Sequence, residues 1–153
     1  MIPEDLRDNP LASALDDLAT TAKFAFNELT IEVAPANIVA ALRRAKDHLH
    51  FERLSTVTCV DRYPAEPRFE IVYHLQSIVG KQRLRLKSRV SGEDPTIESA
   101  FSVYRGANWY EREVFDLFGV RFLNHPNMTR IMMPDDWVGH PLRKDVSVTG
   151  TRY

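Results

Sequence analysis

A chain of 153 residues, 44% hydrophobic and 27% charged, has the size and composition of one globular domain with one core. Its formal net charge of -1 and pI near 6.5 exclude a global electrostatic drive toward nucleic acid or an acidic membrane. The single cysteine, Cys59, excludes an internal disulfide framework and a thiolate metal site of the chain's own.

Cys59 is read as a small buried hydrophobe on a strand, in keeping with a reducing compartment. The acidic opening "MIPEDLRDNP" has no apolar run, so no signal peptide is expected there. No stretch reaches the length of a transmembrane helix. "DNPLASALDDLAT" predicts a first helix, with Asn9 as N-cap, Pro10 at the first position and Leu11, Leu15 and Leu18 inward. "KFAFNELTIEV" reads as strand, but its alternation changes phase near Asn27–Glu28, which predicts a bulge or tight turn. "PANIVAALRRAKDHL" predicts a helix opened by Pro35, with Ile38, Val39, Leu42, Ala45 and Leu49 as its apolar stripe.

Three strand signals follow, "ERLSTVTCVD", "RFEIVYHL" and "KQRLRLKSRV", with connections short enough for an antiparallel meander. The last puts Lys81, Arg83, Arg85, Lys87 and Arg89 on one face. A solvated sheet face that also discourages edge pairing is the preferred reading, ahead of a protein or nucleic-acid contact, because no aromatics interleave for base stacking. "EDPTIESAFSVY" predicts a helix capped by Asp94 or Thr96 and ended by a left-handed Gly106. Asn108 then opens "ANWYEREVFDLFG" as another helix. From residue 120 the sequence is proline-containing and weakly periodic. The expected architecture is therefore α+β: a small, mostly antiparallel sheet packed with helices (1–119), then an extended irregular C-terminal arm (120–153).

At about 100° per residue, Arg112, Asp116, Trp109 and Glu113 form one stripe of the helix at 108–118. Leu117, Tyr110, Val114, Phe118 and Phe115 fill the opposite arc, and Glu111 falls among them. A carboxylate there needs a partner. Two readings stand: a capping box with Asn108, or a buried ion pair with Arg130 or Arg143 of the arm. No nucleophile, phosphate loop or metal-ligand spacing accompanies Glu111, so a catalytic role is disfavoured. His125 and His140 each precede proline, near Asp135, Asp136 and Asp145. Histidine donating to backbone or carboxylate is preferred over a metal site. The arm itself carries Met132, Met133, Trp137 and Leu142 between charges, a composition suited to lying along another protein.

The runs "GANWYEREVFDLFGVRF" and "HPNMTRIMMPDDWVGHPLRKD", with "VTCVDRYPAEPRFEIVYHLQS" and "RLRLK" upstream, resemble the 30 kDa subunit family, the C-type subunits of proton-pumping NADH-quinone oxidoreductase, respiratory complex I. The resemblance implies an α+β domain with a C-terminal arm and no catalytic centre, flavin, iron–sulfur cluster or metal of its own. It implies structural and interface roles for Glu111, Arg112, Glu113, Asp116, His125, Arg130 and Asp135. The same roles fall on Trp137, Gly139, His140, Pro141, Arg143, Lys144 and Asp145. Implied partners are the large quinone-site subunit (the D type) and iron–sulfur subunits of the B and I types, with FMN, clusters and quinone held in other subunits. Nucleic acid is not an implied partner, and the membrane is met only through the complex. The implied place is peripheral, on the cytoplasmic side of the inner membrane. The equivalent subunit of a related membrane-bound hydrogenase, or of another quinone-linked dehydrogenase complex, is the alternative. Thr129 and Val146 depart from the family pattern, and the end at Tyr153 leads us to expect no fusion to the large quinone-site subunit.

Overall fold

The phase change at Asn27–Glu28 is a hairpin turn in the computed structural model, which describes residues 3–147. The end of the expected arm, residues 148–153, lies outside the described residues. Phe26 and Asn27 take φ of 53° and 60°, and two positive values in a two-residue loop make a type I′ turn. The turn joins β1 (Ala19–Ala25) antiparallel to β2 (Glu28–Val33). Strand β1 starts earlier than expected, so α1 is short, Pro10–Ser13. Its predicted start is correct: the Asn9 side chain accepts from the amides of Leu11 (3.0 Å) and Ala12 (3.2 Å), and Pro10 opens the helix. Leu15 is buried, and Leu11 and Leu18 pack on the core.

A 3-10 turn at Pro35–Asn37 leads into α2 (Ile38–Asp47). Ile38, Ala41, Leu42 and Ala45 are buried along one stripe, and Val39 and Leu49 pack beside it. The chain then crosses to the far edge of the sheet. Strands β3 (Arg53–Asp61), β4 (Phe69–Ser77) and β5 (Gln82–Val90) form the expected antiparallel meander. Strand β5 returns beside β2 and runs parallel to it, which gives the order β1-β2-β5-β4-β3. Phe69, Ile71, Tyr73 and Leu75 join Leu84, Leu86, Leu29, Ile31 and the stripe of α2 in one hydrophobic core. Cys59 is buried in β3, as expected, and burial pushes its thiol up.

The other sheet face is a charge ladder. Arg85 pairs with Glu28, Lys87 with Glu70 (2.8 Å), and Arg89 with both Glu32 (3.2 Å) and Glu70 (3.3 Å). Arg62 adds a third cation to Glu70 at 3.1 Å. Strand β5 is central, so its charges do not protect an edge; they neutralise acids on β2 and β4.

The helix expected over residues 93–104 does not form. Thr96–Glu98 is strand β6, parallel to β7 (Arg121–Leu123), and only Ala100–Ser102 coils, as a 3-10 turn. Pairing buries Ile97 and Phe122 together, and this tertiary gain outweighs the short helical pattern. Gly106 is right-handed (φ -64°) and occupies the N-cap position of α3 (Ala107–Phe118), where Asn108 was expected. Residues 120–123, on the arm side of the expected boundary, carry β7 and bury Val120 in the core.

Glu70 is the buried acid at the centre of the ladder. Glu70→Ala leaves Lys87, Arg62 and Arg89 without this carboxylate and is expected to cost about 2 kcal/mol, since all three partners are partly solvated. Urea denaturation measures it; an unchanged midpoint refutes the ladder's structural role.

Candidate functional site: the clamp of α3 and the arm

Asp116 sits on the stripe of α3 that the helix wheel marks as polar, yet it is fully buried. The arm covers it. One carboxylate oxygen accepts from three successive backbone amides, Ile131 (3.0 Å), Met132 (2.7 Å) and Met133 (2.9 Å). The other pairs with Arg130 at 2.6 Å. Burial works against ionisation here, but the amides and the guanidinium win and hold the carboxyl at about 2. Three consecutive N–H groups converging on one oxygen form an anion-binding nest, filled by a side chain of the same protein.

The same arm caps the C-terminus of α3. A helix ends with carbonyls that lack intrahelical donors, at the negative end of its dipole. His140 Nδ1 donates to Asp116 O (2.9 Å), the Leu142 amide to Leu117 O (3.0 Å) and Arg143 Nε to Phe118 O (2.6 Å). Gly119 closes the helix with φ 77° and donates to Phe115 O (2.8 Å). A side chain at Gly119 would also strike Arg143 and His140, at 2.5 Å from each. Gly139, with φ 88°, turns its carbonyl to Arg130 Nη2 at 2.9 Å.

Glu111 is neither an N-cap partner nor paired with an arginine. Its oxygens accept from the Ser99 hydroxyl (2.5 Å) and the Ala100 amide (2.6 Å). The expected partners are engaged elsewhere, Arg130 by Asp116 and Arg143 by Phe118 O. Burial raises the Glu111 carboxyl to about 7, against those two hydrogen bonds. His125 Nε2 lies 3.9 Å from it, both side chains fully buried. His125 Nδ1 accepts from the Asn127 amide (3.0 Å), so Nε2 carries the proton and donates to Asn108 O (3.1 Å). Both arm histidines therefore donate to backbone, as the sequence reading prefers.

The remaining candidates divide. Arg112 donates to Thr129 O (3.0 Å) and Oγ1 (2.9 Å) and to Arg130 O (3.0 Å), so Thr129 serves as an acceptor within the clamp. Asp145 accepts both Arg68 Nη1 (2.9 Å) and Nη2 (2.7 Å). Arg68 also grips Asp61 through Nε (2.9 Å) and Nη2 (2.8 Å), and Asp61 accepts the Lys144 amide at 2.8 Å. Arg68 holds the Asp61 carboxyl far below its ordinary range. Glu113, Asp135 and the Lys144 side chain are exposed, and Pro141 is half-buried beside the capping residues. Met132, Trp137, Val138 and Leu142 are exposed although apolar. Sequence reasoning missed Asp61, Arg68 and Ser99. Asp61 and Arg68 stand at strand ends, where a charge reads as ordinary, and Ser99 lay inside a mistaken helix.

Residues 31–152, which include the whole described clamp, match the model of the family "Respiratory-chain NADH dehydrogenase, 30 Kd subunit". The chain belongs to this family. The C subunit of NADH-quinone oxidoreductase from Citrifermentans bemidjiense is 47% identical over 123 residues, 80% of this chain and 76% of that one. Its counterpart from Geobacter sulfurreducens is 49% identical over 124 residues, covering 80% and 76%. Among solved structures, the trypsin-resistant fragment of Nqo5 is similar with a TM-score of 0.67 at 27% identity, over 76% of this chain and 95% of the fragment. A chain of the membrane-bound sulfane sulfur reductase, an archaeal respiratory membrane complex, gives a TM-score of 0.78 at 28% identity, covering 90% and 84%. Membership in the 30 kDa family makes this chain a subunit of a multi-subunit oxidoreductase, with other subunits as partners. No described helix is long and apolar enough to cross a membrane.

Asp116→Asn keeps one oxygen for the three amides but sets an amide NH2 against Arg130. It is expected to cost roughly 3 kcal/mol and to expose the arm to trypsin. The stability the Asp116 carboxylate supplies above its ordinary value of 3.8 is lost as pH falls toward about 2. Equal denaturation midpoints and equal cleavage would contradict this. Glu111 has the opposite sign: it is neutral in both states below 4.5, then ionises earlier in the unfolded chain. Stability should fall by roughly 3 kcal/mol in total as pH rises from 4.5 to about 7. His125, whose proton affinity burial lowers, contributes the reverse slope below its ordinary 6.5. Subtracting the Glu111→Gln melting profile isolates the carboxylate, and parallel profiles would remove its titration from the account.

Proposed function

We propose that this 30 kDa-family subunit serves a proton-translocating NADH-quinone oxidoreductase as a docking and assembly element of its peripheral arm. In this reading the structural body, expected over 1–119, runs on through β7 to Leu123, and the arm that follows it is the docking element. The arm settles on the large quinone-site subunit (the D type) and the neighbouring iron–sulfur subunits of the B and I types. The chain holds no catalytic centre, and FMN, iron–sulfur clusters and quinone reside in other subunits. Its support of electron transfer from NADH to quinone, and of the coupled proton movement, is mechanical: it holds neighbours in place on the cytoplasmic side of the inner membrane.

One observation carries this reading. The arm turns the amides of residues 131–133 and 144 and the side chains of Arg130, His140 and Arg143 inward, on Asp116, Asp61 and the end of α3. It presents Met132, Trp137, Val138 and Leu142 outward beside the exposed Asp135, Asp136 and Lys144. A surface loop evolved only for solubility would do the reverse. Apolar anchors on a rigid, hydrogen-bonded backbone lose little entropy on docking. The only cysteine is buried in β3, so no thiolate set is offered to a cluster.

A second reading has its own support. The likeness to a chain of the membrane-bound sulfane sulfur reductase extends over 90% of this protein. The same docking device would then serve a related membrane-bound hydrogenase-type or quinone-linked complex. Partners that co-purify separate the two: a flavin-binding, NADH-oxidising subunit favours the first, a nickel-hydrogenase set the second.

Trp137→Ala combined with Val138→Asp leaves every clamp contact named above in place. The purified variant should melt within a few degrees of the parent. Its recovery with the large quinone-site subunit should fall about tenfold. Full recovery with that subunit rejects docking through the arm.

A further inference from the structure

At the end of the sheet opposite the arm, the turn that joins β1 to β2 is built from an unsuitable residue. Position 26 has φ 53°, where glycine, asparagine or aspartate is favoured in a type I′ turn. The protein places a phenylalanine there, and its side chain is completely exposed. Neither turn chemistry nor core packing accounts for that choice. Strain at a position with no structural return points to function.

The surroundings give the function a chemistry. Leu29 pairs with Leu84, and Ser77 pairs with Gln82, so the turn at residues 78–81 lies beside the hairpin tip. It presents Ile78 and Val79, both largely exposed. Phe24, Phe26, Lys81 and Arg83 line one cleft. Lys81 and Arg83 are exposed in that cleft, and neither they nor the exposed Lys23 of β1 form an ion pair with any described residue. Glu28, at the base of the hairpin, is already engaged by Arg85. The cleft thus joins two exposed phenylalanines with two unneutralised cations. The arm is anchored at the other end, where Asp61 pairs with Phe69 across β3 and β4 and Arg68 holds Asp145. The family match begins at Ile31, after the hairpin tip.

We propose that the β1–β2 hairpin tip, with Phe26 as anchor, is a second docking point, seated in an apolar socket with an acidic rim on another protein subunit of the same complex. It rests on the reading that this chain is a docked subunit. Free cations around an exposed apolar cluster call for carboxylates around an apolar pocket. Two contacts at opposite ends of one rigid sheet fix orientation as well as position, which a single arm cannot do.

The test uses the full-length tagged chain produced in cells that make the complex. Phe26→Asn relieves the left-handed strain, so its melting temperature should equal or exceed that of the parent. Recovery of partner subunits should nevertheless fall about tenfold. Lys81→Glu with Arg83→Glu should lower recovery too, and more at low salt than at high salt. Parental recovery in both variants overturns the proposal. So does a Phe26→Asn protein that melts lower, because a folding role then explains the loss. A third result is binding of the purified chain to vesicles of anionic lipid, lost in Phe26→Asn, with assembly unchanged; this reassigns the patch to a membrane surface and also overturns the proposal. Failure here with arm variants still defective leaves the arm reading intact, whereas normal assembly in both sets rejects docking altogether.

Discussion

The Asp116 carboxylate is the constraint on which the arrangement of the arm depends. A carboxylate without water is costly unless each oxygen is paired. Here three amides and one guanidinium do the pairing, and all four belong to residues 130–133. The arm can therefore lie in only one register over α3. Sliding it by one residue would break the nest and leave a buried charge unpaired. From that register the other contacts follow: His140, Leu142 and Arg143 arrive at successive carbonyls of the helix end, and Asp145 reaches Arg68.

This construction explains how a segment with almost no regular secondary structure stays ordered without a core of its own. Its backbone bonds go to the end of a helix and to acids on the body, instead of to a ladder. With much of its backbone hydrogen bonding spent internally, the arm turns Met132, Trp137, Val138 and Leu142 outward among exposed charges such as Asp135 and Lys144. The clamp thus pairs internal polar contacts with outward apolar area, a combination suited to docking. Glu111 belongs to a different layer. It ties α3 to the turn after β6 and sits under His125, so the base of the arm and the body share one buried polar cluster.

Much of the body was legible in the sequence because it obeys a single period. The alternation of Phe69, Ile71, Tyr73 and Leu75 marks β4, and the phase change at Asn27 marks the hairpin. The stripe from Ile38 to Ala45 marks α2. The segment at 93–104 was misread because its apolar spacing satisfies a helix locally, while a strand 25 residues onward, β7, pairs with it. That error carried over to Glu111, whose two donors come from Ser99 and Ala100. The helix wheel puts Asp116 on the polar stripe of α3, yet Asp116 is buried, because a wheel contains no arm to cover it.

The sequence by itself determined the class of fold, most of the strands, two helix starts, the family resemblance and the residues worth watching. Periodicity and local capping act over a few residues, so a single chain records them. Tertiary structure alone decided which charges meet. The basic face of β5 became a ladder because a parallel neighbour, β2, brings Glu28 and Glu32 from more than fifty residues away. Asp61, Arg68 and Asp145 became one cluster because the arm folds back across 77 residues. Charge pairing depends on distance in space, and nothing in the order of residues along the chain encodes that distance until the backbone has closed its loops.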